Sequence, residues 1–198
     1  DFSNVSCGPC VASNQILKSL KKTYDKSKLL ILKYATNFPS PNDPMHLASS
    51  GDAKTRMSFY NILFTPTIYV NGVDKPIASD SNSIKEKIDS NLLKSAKLKI
   101  DSDYSLKNDS IKVNVTVKVL DDSDLNFSKL NVFVAIQESK IEYATPPGSN
   151  GETEFEDVLR KLLPGHNGYS ISSLKDNNEI QFNWGTKIES IWNRDRIE

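Results

Sequence analysis

Cys7-Gly8-Pro9-Cys10 carries the two cysteines of this 198-residue chain, so any thiol chemistry must occur there. In the first turn of a helix, positions i and i+3 share a face, and the two sulfurs can meet. Cys7 would then stand beside backbone N–H groups that lack intrahelical partners, at the positive end of the helix dipole. Both features favour a thiolate. Pro9 is tolerated because a first-turn N–H has no intrahelical partner to lose. A Cys-x-x-Cys pair near a strand–helix–strand pattern reads as a redox-active dithiol. Two other readings stay open. Zinc takes four protein ligands, or three and a water, and the only histidines available to complete a set are His46 and His166. A purely structural disulfide is the other, since closing so short a loop stabilises little.

The elements that must position this pair are legible in outline. Val11, Ile16, Leu17, Leu20 and Tyr24 form an apolar stripe on a helix beginning around Cys10, with Lys18, Lys21 and Lys22 facing solvent. Leu29 to Tyr34 reads as a short central strand. Asn37 to Pro44 holds three prolines and reads as a surface loop. Residues 51–61 carry Ala53, Met57 and Tyr60 at helical spacing. Leu63 to Val70 is β-rich and ends in Asn71-Gly72, a hairpin signal, with Pro66 opening the strand. Ser83 to Glu86 reads as a capping box for a helix buried through Ile84, Ile88 and Leu92.

The pattern changes after Ser95. Ile111, Val113, Val115, Val117 and Val119 alternate with polar residues, as in a half-buried antiparallel strand. Asp121 to Asp124 reads as a solvated acidic turn rather than a calcium loop, because it lacks the EF-hand spacing and terminal glutamate. Leu130, Val132, Val134 and Ile136 predict a further strand. Pro146 to Gly151 is a loop by composition. Phe155, Val158, Leu159 and Leu162 have helical spacing, yet the surrounding β pattern favours a strand over Glu154 to Leu163. Ile180, Phe182 and Trp184 alternate again. Short strands with turn-rich joints suggest a sandwich.

Charge is balanced, with 25 basic and 25 acidic side chains. No basic excess points to nucleic acid, and no like-charge run marks a tail. No apolar stretch approaches the ~20 residues needed to span a bilayer. Asp1-Phe2 lies almost on the motif, so an upstream segment is expected to have been removed or left out. The chain is accordingly expected to be a fragment lacking strand partners at both ends, near Asp1 and after Asp195 to Glu198.

Two resemblances sharpen these readings. Asp1 to about Lys94 resembles a thioredoxin-fold domain: Asp1-Phe2 precedes Cys7-Gly8-Pro9-Cys10, and Thr65-Pro66-Thr67 precedes a strand ending in Asn71-Gly72. The resemblance implies a cis Pro66 facing the cysteines and a buried Asp1 relaying protons to Cys10. Thr65, Gly8 and Pro9 would touch the substrate. Ser6 stands where thioredoxins usually have tryptophan, and no lysine partner for Asp1 is identifiable. The second half is similar to the β-domain of the bacterial family named after a twenty-eight-kilodalton outer-membrane protein. The similarity runs through Val134 to Glu138, Ile141 to Tyr143, Val158 to Gly165 and Gly168. That family joins a thioredoxin-like domain to an immunoglobulin-like sandwich, which implies an exported bacterial envelope protein, secreted or lipid-anchored upstream.

The expectation is therefore an α/β thioredoxin-like domain over 1–95 and an all-β immunoglobulin-like sandwich over 96–198. Its chemistry would be exchange with protein thiols or disulfides, with no cofactor and no metal. The alternative is a non-enzymatic binding or surface module with a vestigial redox domain. His166, Arg160 and Glu138 read as exposed loop and strand-edge groups. Trp184 and Trp192 read as packing residues.

Overall fold

The computed structural model describes residues 1–198. Its N-terminal half runs β1 (Phe2–Ser3), α1 (Gly8–Thr23), β2 (Tyr34–Ala35), α2 (Pro44–Ala48), α3 (Ser50–Phe59) and α4 (Ser81–Leu92). Cys7 is the N-cap of α1, Pro9 lies in its first turn, and Lys21 and Lys22 complement the dipole at its last. The buried stripe of α1 is Cys10, Ser13, Leu17 and Leu20. Val11, Ile16 and Tyr24 lie at its half-buried margin. Leu17 and Leu20 pack with Ile68, Ile84 and Ile88, so α1 and α4 share one core.

Two caps differ from expectation. Helix α4 begins at Ser81 because the Asp80 carboxylate accepts from the N–H groups of Asn82 and Ser83. Ser83 Oγ accepts instead from Ile77 N at 3.1 Å. An acid three residues upstream outcompetes the expected box. Leu92 lies at the exposed end of this helix. Pro44 does not extend the loop but opens α2, with Asp43 as its cap.

β1 pairs in parallel with β2, Phe2 opposite Tyr34, and bridges Thr67 in antiparallel sense on its other side. The strand expected over Leu29 to Tyr34 is regular only at its end, because its ladder with β1 covers Phe2 and Ser3 alone. Asn71 (φ 49°) and Gly72 (φ 72°) form the expected tight turn, closed by a Val70–Asp74 bridge.

The C-terminal half runs β3 (Leu98–Lys107), β4 (Ser110–Val119), β5 (Asn131–Val132), β6 (Val134–Glu142), β7 (Glu154–Leu163), β8 (Tyr169–Ser170), α5 (Leu174–Asn177) and β9 (Glu179–Lys187). β3, β4 and β9 form an antiparallel sheet with β4 central. The alternating β4 residues Ile111, Val113, Val115 and Val117 are buried against Val132, Ile136, Leu163, Leu174, Trp192 and Ile197. The strand expected over Leu130 to Ile136 divides at Phe133: β5 pairs with β8, β6 with β7. Glu154 to Leu163 is a strand, and its helical-looking spacing arises from burial on both faces. Trp192 is buried, and Trp184 stacks on Phe182 with ring centroids 4.7 Å apart.

The β6–β7 hairpin crosses the boundary expected near residue 95. Val158 bridges Lys33 in parallel: Lys33 N donates to Asp157 O at 2.7 Å, and Leu159 N donates to Lys33 O at 2.9 Å. Leu159 and Leu162 share a core with Phe2, Tyr34 and Met57. Phe155 and Val158 share another with Val5 and Met45. Leu162 N donates to the Asp52 carboxylate at 2.8 Å.

Glu138 and Arg160 are not exposed edge charges. They form a buried ion pair at a shift in the β6–β7 register, where Arg160 has no cross-strand partner and its side chain turns to Glu138. His166 is exposed, as expected. No helix is long and apolar enough to cross a membrane.

Candidate redox site

Cys7 and Cys10 are joined in a disulfide at the start of α1. Cys10 N donates to Cys7 Sγ at 3.2 Å, so the sulfur takes the place of an N-cap oxygen. Gly8 and Pro9 are exposed. Cys7 is not: it is 3% accessible and Cys10 0%. The exposed nucleophile expected from its place ahead of the helix is thus covered in the disulfide state.

The segment leading into Cys7 is held by polar groups that spacing did not single out. Asn4 Nδ2 donates to Thr36 O and to Ser40 O (2.6 and 2.9 Å), while its Oδ1 accepts from Ser6 N at 2.9 Å. The buried Asp43 carboxylate accepts from Val5 N on one oxygen and caps α2 with the other. Burial pushes the Asp43 carboxyl above its usual range, against these hydrogen bonds. His46, half of the possible zinc complement, is buried with Nδ1 2.8 Å from Ala35 O.

A loop of the C-terminal half closes on the same segment. Asn150 N donates to Val5 O at 3.1 Å, and Ser149 N to Ser6 Oγ at 3.2 Å. A methyl on Gly148 would overlap the Val5 carbonyl and lie 2.5 Å from Val5 Cγ2. Gly148→Ala should therefore destabilise the protein by about 1–3 kcal/mol in urea unfolding. At Gly8 an added methyl meets nothing within 4 Å. Gly8→Ala should change stability by less than about 0.5 kcal/mol, and equal effects at the two positions would contradict the close packing.

The Thr65–Pro66 peptide is cis, as are Phe38–Pro39 and Leu163–Pro164. The antiparallel register of Thr67 with Phe2 runs Thr65-Pro66 toward the end of β1 from which the chain leaves for Cys7. Leu63 and Phe64, just before this turn, are exposed at 75% and 57%.

Asp1 does have a lysine partner. Lys33 Nζ donates to Asp1 Oδ2 at 2.8 Å, and both side chains are nearly inaccessible. Lys33 also donates to Asn14 Oδ1. Asn14 lies one turn after Cys10, at i+4, so the Asp1–Lys33 pair sits beneath the helix face that carries Cys10. Two buried oxygens on this side, Asp1 Oδ1 and Ser13 Oγ, have no hydrogen-bond partner.

Burial lowers the Lys33 pKa to about 8 from 10.5, against the pull of Glu152, Asp157, Glu156 and Asp43. The folded protein then binds fewer protons than the unfolded one between about pH 8 and 10.5. In that window the Lys33 contribution makes folding more favourable as pH rises, by up to about 1.4 kcal/mol per unit. The stability of the wild type minus that of Lys33→Met should rise across it in urea titrations; a flat or falling difference would contradict the burial.

The larger cleft, about 440 Å³, lies between residues 26–32 and 68–72 and neither cysteine lines it. A second, about 290 Å³, opens between α1 and β7 and is lined by Asn14, Lys33 and Glu152.

No protein family and no curated protein matches this sequence. Among solved structures, the chain is similar to protein AGR_C_4864 from Agrobacterium tumefaciens, with a TM-score of 0.50 and 11% identity. The match covers 94% of this chain and 75% of that one. The likeness is one of fold alone.

Proposed function

We propose that the protein carries out thiol–disulfide exchange through Cys7 and Cys10. On this reading it is an exported bacterial envelope protein, with a thioredoxin-like N-terminal part and an immunoglobulin-like C-terminal part. The observation that carries the reading is the buried Asp1–Lys33 pair beneath the Cys10 face of α1, with one carboxylate oxygen unpartnered. A resolving thiol needs a base, and the Asp1 carboxylate is a group that can serve as one. The exposed Leu63 and Phe64, beside the Thr65-Pro66 turn, supply apolar surface for a partner backbone.

In the reducing direction, the Cys7 thiolate attacks one sulfur of a partner disulfide, and the partner's other sulfur leaves as a thiolate. Asp1 Oδ1 takes the Cys10 proton. Cys10 Sγ then attacks Cys7 Sγ, releasing the partner's second thiolate and closing the Cys7–Cys10 disulfide. Two electrons pass from the protein to the partner, and the reverse sequence oxidises a partner dithiol. No cofactor enters the balance.

A second reading, a binding module with a structural disulfide, is favoured by one observation: both cysteines are buried in the oxidised state. Reduction of a protein disulfide such as those of insulin by the dithiol-reduced protein separates the two. Turnover well above the Cys7→Ser background supports exchange, and a rate equal to that background leaves the binding module.

A further inference from the structure

Resting on the exchange reading, we propose that Glu152, on the loop between β6 and β7, is a positioning residue for the buried Asp1–Lys33 pair. It acts through Asn14, so that the C-terminal half sets the pH range over which the redox site works.

Asn14 Nδ2 donates to both Glu152 oxygens, at 3.0 and 2.9 Å, and Asn14 Oδ1 accepts from Lys33 Nζ. The chemistry fixes this amide orientation. A carboxylate only accepts and an ammonium only donates, so the NH2 group must face Glu152 and the oxygen Lys33. Glu152 is itself held: Asn150 Nδ2 donates to Oε2 at 2.7 Å, and Glu152 N donates to Asn150 Oδ1 at 3.0 Å. Asn150 is also the residue whose backbone N–H grips Val5 ahead of Cys7. One loop therefore touches both the approach to the nucleophile and the polar chain beneath the resolving thiol.

The other charges around Lys33 are differently engaged. On β7, Glu156 pairs with Lys18 and Lys21, and Asp157 pairs with Lys21. Asp43, ahead of α2, is occupied by three backbone N–H groups. Asp1, just ahead of β1, is the direct partner, and its α-amino group, which also faces Lys33, donates to Leu32 O at 2.9 Å. Glu152 makes no ion pair with any lysine or arginine, and the Asn14 amide bridges its carboxylate to the Lys33 ammonium. The cleft that these three residues line opens between α1 and β7 and gives water access to the chain's outer end.

Beyond Asp1, its direct partner, Glu152 acts most strongly among the carboxylates that oppose the burial of Lys33. Without it the ammonium gives up its proton at lower pH, and the Asp1 carboxylate then loses its cation. Glu152 is only partly buried, so its variants are expected to fold.

Two readouts test this. The Lys33 titration midpoint, followed by carbon NMR of its ε-methylene, should fall by about half a unit or more in Glu152→Gln. It should fall likewise in Asn14→Leu, which cuts the link and leaves Glu152 charged, and should hold in Glu152→Asp. The alkaline limb of the pH–rate profile for insulin reduction should move down in step. A midpoint unmoved in both link-breaking variants, or a moved midpoint with an unchanged rate profile, would overturn the proposal. A wild type that reduces no disulfide would instead contradict the exchange reading. The Lys33 midpoint alone would then decide: a fall upholds the linkage from Glu152, and an unmoved value overturns it.

Discussion

The Cys10→Ser protein should accumulate covalent mixed disulfides with its partners. Cys7→Ser should form none and lose exchange activity by roughly a thousandfold or more, the scale of removing an essential nucleophile. The asymmetry follows from the start of α1. Cys7 is the N-cap, and its sulfur already accepts the Cys10 N–H. A thiolate there gains that hydrogen bond and the helix dipole. Cys10 lies within the first turn, fully buried, where desolvation disfavours the thiolate until a base removes the proton. Burial of Cys7 in the disulfide state does not remove the asymmetry, because the exposed Gly8-Pro9 turn borders it. Mass spectrometry of adducts trapped from an envelope extract reads the result. Equal trapping by the two variants, or none by either, would contradict the exchange mechanism.

The largest stability effect should come from the other half of the chain. Glu138→Ala should cost about 3–5 kcal/mol, because it strands the Arg160 guanidinium in a buried site. The same change removes the acceptor of Asn193 N, 2.6 Å from Glu138 Oε1. Glu138→Met with Arg160→Met removes both charges and should come within about 1–2 kcal/mol of the wild type. Urea unfolding of the single and double variants checks this. A double variant as unstable as the single would show that packing, not the unpaired charge, sets the loss.

What the sequence disclosed and what it hid divide along contact range. Cys7 and Cys10 are three residues apart, and helix geometry alone brings them together. The alternation of Ile111 to Val117 and the Asn71-Gly72 turn are equally local and appear where expected. Lys33 was hidden because its partners Asp1, Asn14 and Val158 lie in other elements, and a lysine at the end of an apolar run looks like a strand terminus. Asn14 and Glu152 are separated by 138 residues, and nothing in either neighbourhood marks the pairing. Glu138 and Arg160 looked like surface charges because a half-exposed strand and a doubly buried one differ only in what covers them. Asp43 could have been found: an Asp before Pro44 is a helix-start signal, masked by the two prolines preceding it.

The central claim is that Cys7 and Cys10 form an exchanging dithiol rather than a fixed crosslink, and the reduction potential of the pair tests it most directly. Equilibration of the wild type in glutathione and dithiothreitol buffers at neutral pH, with the thiol fraction read by alkylation and mass spectrometry, gives the value. The account predicts a potential within about −120 to −270 mV, the range of exchange catalysts, and a value below about −300 mV, typical of structural disulfides, would contradict it.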